Sequence, residues 1–183
     1  MVVRQNLTGV PDEILTEASV SHNESPGQEQ ISMNQNLFLS NVAEVKISYS
    51  TNVKPSDRAK ITCSKDGAEL FRQIFPDFEH REYFYVMLLN RGNRVLGFYQ
   101  ISVGGISGTV VDVKLILQAA IKSNASGILL GHNHPSGTLE ASDADLKITR
   151  KVKSACSFMD ISVLDHIIIT ADTYLSMADE GLI

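Results

Sequence analysis

GILLGHNHPSGTLEASDADLK, residues 127–147, joins a short apolar run to two histidines, a Pro-Ser-Gly turn and the start of a helical pattern. An apolar run bounded by glycines predicts a central strand covered on both faces. That strand delivers His132 and His134 at its end. Two apart on an extended chain, the two imidazoles share one face while Asn133 points to the other. Pro135-Ser136-Gly137 turns the chain, and Ser142 opens the next helix with Asp145 in its first turn. If that turn folds the helix start back towards the strand, the aspartate reaches the histidines. Two imidazoles and one carboxylate leave a tetrahedral position open, as in catalytic rather than structural zinc sites. Such a site lowers the pKa of bound water to about 7. Ser142-x-x-Asp145 is equally the pattern of a helix N-terminal capping box. The two readings are compatible, because a carboxylate has two oxygens and a helix N-terminus favours its ionised form.

Downstream, SDADLKITRKVKSACSF predicts a helix burying Leu146, Thr149, Val152 and Cys156, with Lys147, Arg150, Lys151 and Lys153 outward. DISVLDHIIIT is a strong strand on which Asp165 and His166 face opposite sides. His166 is therefore expected to be a satisfied, partly buried histidine and not a third ligand. TYLSMADEGLI is expected to be a short helix or irregular tail. Upstream, Thr109-x-x-Asp112 predicts a capping box opening a helix through Asn124, with Val113, Ile116, Leu117, Ala120 and Ile121 as its buried stripe. YFYVMLLN and RVLGFYQIS predict two strands joined by the turn residues Asn90-Arg91-Gly92-Asn93 as an antiparallel hairpin. SKDGAELFRQIF predicts a helix capped by Ser64 and stopped by Pro76. VAEVKISYS, residues 42–50, alternates at the period of a half-buried strand. Residues 1–41 are polar, carry His22 and Met33, and are expected to form a tail because they offer little apolar surface to offset ordering entropy. Met33 is a candidate native start. The expected architecture is an α/β domain over residues 42–183, partly antiparallel because of the early hairpin.

The chain has 183 residues, 43% hydrophobic and 20% charged, with a formal net charge of −5. No apolar run approaches the roughly 20 residues of a membrane span, and the N-terminus has no signal-like apolar region. A cytoplasmic protein with no membrane partner is expected. Cys63 and Cys156 make no paired framework and are expected to be small buried hydrophobes without a disulfide. The negative charge argues against broad attraction to nucleic-acid phosphates. The basic helix face is expected to be solvated, so DNA association is only weakly supported. His80, beside an acidic loop, is expected at the surface.

His132-Asn133-His134-Pro135-Ser136-Gly137 followed by Ser142-x-x-Asp145 resembles the JAMM motif of JAB/MPN metallohydrolases, in the HNHPSG form of RadC-like proteins. EYFYVMLLNRGNRVLG, Asn124-Ala125 and VLDHIII extend the resemblance over roughly residues 60–183. It implies a JAB-type fold, a mixed sheet flanked by helices and related to cytidine deaminases, with one zinc on His132, His134 and Asp145. It also implies a glutamate outside the cluster as general base. Glu82 best matches that position, with Glu79 as local competitor. Ser142 would inherit support of the oxyanion. The implied activity is hydrolysis of a peptide or isopeptide bond in a peptide or protein substrate. The alternative is a non-catalytic, metal-containing module acting through protein partners in DNA repair or recombination. Thr138-Leu139-Glu140-Ala141 and Asp112-Val113-Lys114 depart from the usual RadC pattern, which bears on substrate recognition. The helix-hairpin-helix segment of full-length RadC proteins is not seen, as in short bacterial forms associated with mobile elements. A deaminase would need H-x-E and P-C-x-x-C, which are absent. Consecutive His-Asn-His letters are no evidence for an HNH nuclease, whose name refers to scattered residues.

Overall fold

YFYVMLL has no polar side chain beyond its tyrosine hydroxyls because both faces of its strand are covered. In a computed structural model, which describes residues 48–105 and 110–183, it forms β1 (Tyr83–Leu89) at the heart of a five-stranded sheet. The other strands are β2 (Val95–Val103), β3 (Gly127–Asn133), β4 (Ser162–Ile169) and β5 (Tyr174–Ser176), in the spatial order β2-β1-β3-β4-β5. β1 pairs antiparallel with both β2 and β3, β3 pairs parallel with β4, and β5 returns antiparallel to β4. The parallel pair needs a long crossover, supplied by α3 (Asp143–Ser157). Two further helices are α1 (Ser64–Ile74) and α2 (Val113–Lys122). This is the expected α/β fold of JAB/MPN type, a mixed sheet with helices on both faces.

Strand parity divides the core. Phe84, Val86, Leu88, Ile128 and Leu130 pack with Val113, Ile116 and Ala120 of α2 and Val152 and Cys156 of α3. Tyr85, Met87, Leu89, Leu129, Ile167 and Ile169 pack on the opposite face with Ala68 and Phe71 of α1 and Phe75 at its C-cap. Each Val, Leu, Ile, Phe or Met side chain among these, once fully buried, contributes about 1.5–3 kcal/mol relative to exposure. The same parity puts His132 and His166 on the α2/α3 face. Gly131 lies on the α1 face beneath Phe71, where a Cβ would meet ring carbons at 2.7–2.8 Å. Only a residue without a Cβ lets α1 close over β3 at that point.

Several expectations need correction at element ends. The N-cap of α1 is Cys63, not Ser64: Asp66 Oδ2 accepts from the backbone N–H groups of Thr62 at 2.7 Å and Cys63 at 3.3 Å. Ser64 instead donates its hydroxyl to Asp179. Asp112 is the N-cap of α2, accepting from the Lys114 N–H at 2.9 Å. Thr109 lies outside the described residues. Ile121, expected in the buried stripe, is 47% exposed. Leu117 and Leu146 are only half-buried. The expected tail helix is β5 followed by turns, its three residues pairing with Ile167–Ile169. Cys63 is exposed while Cys156 is buried, and both are free thiols. Of the strand expected over residues 42–50, positions 42–47 fall outside the described residues and 48–50 carry no regular element. The expected tail, residues 1–41 with His22 and Met33, also lies outside them. No helix among the described residues is long and apolar enough to cross a membrane.

Candidate metal centre

β3 ends at Asn133, so His132 occupies the last inward-facing strand position and His134 the first residue beyond it. His132 is fully buried, its ring stacked on Phe84 at 5.9 Å and 11°. After His134 the chain turns through Gly137, whose φ of +76° suits glycine. Ser142 then caps α3. Asp145 Oδ2 accepts from the Ser142 backbone N–H at 2.8 Å and from its hydroxyl at 2.5 Å, while the Asp145 N–H donates back to Ser142 Oγ at 3.2 Å. This reciprocal box fixes the aspartate on the first turn. Its other oxygen, Oδ1, lies 3.2 Å from His132 Nε2, and Oδ2 lies 3.7 Å from His134 Nε2. Capping and convergence on the histidines therefore coexist in one carboxylate.

His132, His134 and Asp145 each offer a ligand atom, and these atoms all lie within 4.8 Å of one another. The two Nε2 atoms are 2.9 Å apart. His134 Nδ1 sits 2.8 Å from the Thr138 carbonyl, which can only accept, so Nδ1 carries a proton and Nε2 is the nitrogen turned into the cluster. Two neutral imidazole nitrogens with one carboxylate are the donor set that zinc favours. The residues present fit that ion.

Electrostatics agree with a cation-binding cluster. Burial lifts the Asp145 carboxyl, but its contacts with His132, His134 and Ser142 outweigh this and hold it far below the usual carboxylate range. The same contact with Asp145 holds His134 above the ordinary imidazole value. Glu82 is raised, first by burial, with the two histidines opposing and Asp145 reinforcing the shift. It lines a cleft of about 1060 Å³ together with Phe84, Val111, His134, Ser142 and Asp145. Glu79 is exposed and does not line that cleft. His80 is on the surface beside Asp77, as expected, 3.0 Å from its carboxylate.

Three residues take part in ways that the sequence reading did not assign. Asn133 does point away from the histidines, yet its amide is not idle: Oδ1 accepts from the Tyr83 N–H at 2.7 Å and Nδ2 donates to the Arg81 carbonyl at 2.8 Å. Asn133 thereby clasps the backbone on either side of Glu82. His166 is not partly but fully buried, and its Nε2 lies 2.8 Å from His132 Nδ1. Thr149, expected only as part of a buried stripe, lies 2.6 Å from His166 Nδ1. Placing β4 beside β3 on the basis of apolar parity would have brought His166 to the face of His132; no signal in the sequence marks the Asn133 clasp. Asp165 faces the other side and accepts from the Ser176 hydroxyl at 2.6 Å and the Ala178 N–H at 2.9 Å. Lys147, Arg150, Lys151 and Lys153 are exposed, as expected.

The family model of the RadC-like JAB domain matches residues 61–182. Over 123 residues the chain is 46% identical to a UPF0758 protein of Flavobacterium johnsoniae, covering 67% of this chain and 53% of that one. A UPF0758 protein of Salinibacter ruber is 37% identical over 127 residues, covering 69% and 54%. A third, from Geotalea uraniireducens, is 33% identical over 167 residues, covering 79% and 73%. The chain thus spans about half the length of the first two relatives.

Proposed function

This chain belongs to the RadC-like JAB domain family, and from the geometry of its histidine–aspartate cluster we propose that it is a zinc-dependent hydrolase of peptide or isopeptide bonds. The observation that carries this reading is the convergence of His132 Nε2, His134 Nε2 and the Asp145 carboxylate at a cleft whose rim bears Glu82. These three residues would hold the ion. When bound in such an open site, zinc supplies Lewis acidity and makes water a nucleophile near neutral pH.

The remaining work falls to the protein. Glu82, half-buried and on the cleft wall, takes a proton from water and passes it to the leaving amine, a contribution of about 10² to 10⁴ in rate for such general bases. Its raised affinity for protons suits both halves of that transfer. Ser142 lines the same cleft with its hydroxyl proton turned to Asp145. Rotation of that proton towards the cleft supplies a donor for the developing oxyanion.

Metal analysis of the purified protein, paired with a peptide-library cleavage screen with and without chelator, tests the proposal. About one zinc per chain in wild type and none in His134→Ala is expected for a single site, with cleavage lost in Glu82→Gln and on chelation. Equal metal in wild type and His134→Ala would overturn the site. Stoichiometric zinc without cleavage of any peptide or isopeptide would overturn the hydrolase and favour the non-catalytic module.

A further inference from the structure

We propose that His166 is a positioning residue that fixes His132 as its Nδ1–H tautomer, so that the Nε2 lone pair is presented to the metal, and that Thr149 dictates this choice. The inference rests on the metal-site reading above and extends it to two residues outside the ligand set.

The argument follows one chain of hydrogen bonds. Thr149 Oγ1 lies 2.6 Å from the backbone carbonyl of Asp145, one helical turn earlier. A carbonyl only accepts, so the single hydroxyl proton of Thr149 is spent there. The hydroxyl oxygen is also 2.6 Å from His166 Nδ1. Having no second proton to give, it must accept, which places a proton on His166 Nδ1. The His166 ring is sealed from solvent and touches no carboxylate, since Asp165 reaches only its backbone N–H and otherwise faces the opposite side of the sheet. A charged ring would be costly there. With its one proton given to Thr149, His166 presents a bare Nε2 to His132 Nδ1 at 2.8 Å. His132 must donate from Nδ1, which leaves Nε2 as its only nitrogen for a metal.

The consequence converges with the other ligand. His134 likewise donates from Nδ1, to the Thr138 carbonyl, so both Nε2 atoms face the cluster, 2.9 Å from each other, and are the ones a metal would engage. Partners of this kind set the tautomer and ring orientation of metal-bound histidines, and their loss typically weakens metal binding about 10- to 100-fold. The partner here is an imidazole held by a threonine on the same helix as the ligand Asp145, so α3 supplies one ligand and sets the proton of another. Phe84, stacked on His132 and edge-on to His166 at 5.4 Å, leaves the two rings little freedom to turn.

Two measurements test this. First, nitrogen-15 NMR of the histidine rings in metal-free wild type reads the tautomers directly. Protonated Nδ1 on both His132 and His166, with a bare Nε2 on His166, is expected. A bare Nδ1 on His132, or a proton on His166 Nε2, would overturn the proposal, whether or not the protein goes on to bind zinc. Second, zinc affinity is measured by competition with a chromophoric chelator, with folding checked by thermal unfolding. His166→Leu should bind about 10- to 100-fold more weakly. His166→Gln, whose side-chain oxygen can accept from His132, should recover much of the loss. Equal affinity in wild type and a folded His166→Leu would overturn the role, as would a Gln variant no better than Leu. If wild type itself binds no zinc, the metal site fails while the tautomer result still decides the hydrogen-bond chain.

Discussion

Asn133 holds the backbone on both sides of Glu82, accepting from the Tyr83 N–H and donating to the Arg81 carbonyl. The middle residue of the His-Asn-His triplet thus serves the cleft wall while its neighbours serve the cation cluster. Asn133→Ala leaves both backbone groups without this partner, at about 1–3 kcal/mol for each group that stays buried. A lower midpoint in urea is expected, with zinc content unchanged and hydrolysis reduced. Equal loss of zinc would show that the clasp supports the histidines rather than Glu82.

Gly131→Ala would push a methyl group to 2.7–2.8 Å from the Phe71 ring. Overpacking of this kind costs about 1–3 kcal/mol. Phe71→Leu should itself destabilise by opening space, yet the double variant should be more stable than the two single losses added together. Denaturant unfolding of the four proteins measures that coupling. Strict additivity would mean that α1 moves away from the sheet without resistance.

The two cysteines should separate cleanly by reactivity. Burial pushes the Cys156 thiol up to about 11, whereas Cys63 is exposed. Because the thiolate is the nucleophile, Cys156 carries almost none near pH 8. A chromogenic disulfide reagent should title one thiol per native chain and two after denaturation. Rapid labelling of both in the native state would contradict the packing between α3 and the sheet.

Asp165 supplies a pH signature. Its carboxyl is raised above the ordinary value, chiefly by burial, despite hydrogen bonds from Ser176, Ala178 and His166. The folded state therefore binds its proton more tightly than the unfolded state, and this group's contribution to stability falls as pH rises from the ordinary aspartate value through the folded one. Asp165→Asn removes that titration. Relative to wild type, its urea midpoint should improve as pH rises through that window. A pH-independent difference would refute the assignment.

Much of the layout was legible because parity and period carry it. GILLGHN and SVLDHIII could only be covered strands, and the helical stripe of Thr149, Val152 and Cys156 could only face them. The ligand cluster was legible because spacing places His132 and His134 on one face and Asp145 on the next first turn, and because the joined pattern resembles the JAMM motif. What escaped depends on contacts distant in sequence. The Asn133 clasp requires the 77–82 segment to cross the end of β3. The His132–His166 contact requires the β3–β4 register, in which His132 lies opposite Ile168 and Leu130 opposite His166. The cap of α1 shifted by one residue because Asp66 chooses its partners by reach, not by residue type.

The cluster is also lopsided. His132 is sealed against Phe84 with no exposed side-chain surface, whereas the side chains of His134 and Asp145 are 15% and 11% exposed. An ion held by the three would therefore meet solvent beside His134 and Asp145, next to the Pro135–Ala141 turn, and never beside His132. Of the three side chains, the strand-borne ring of His132 is the one that water reaches least.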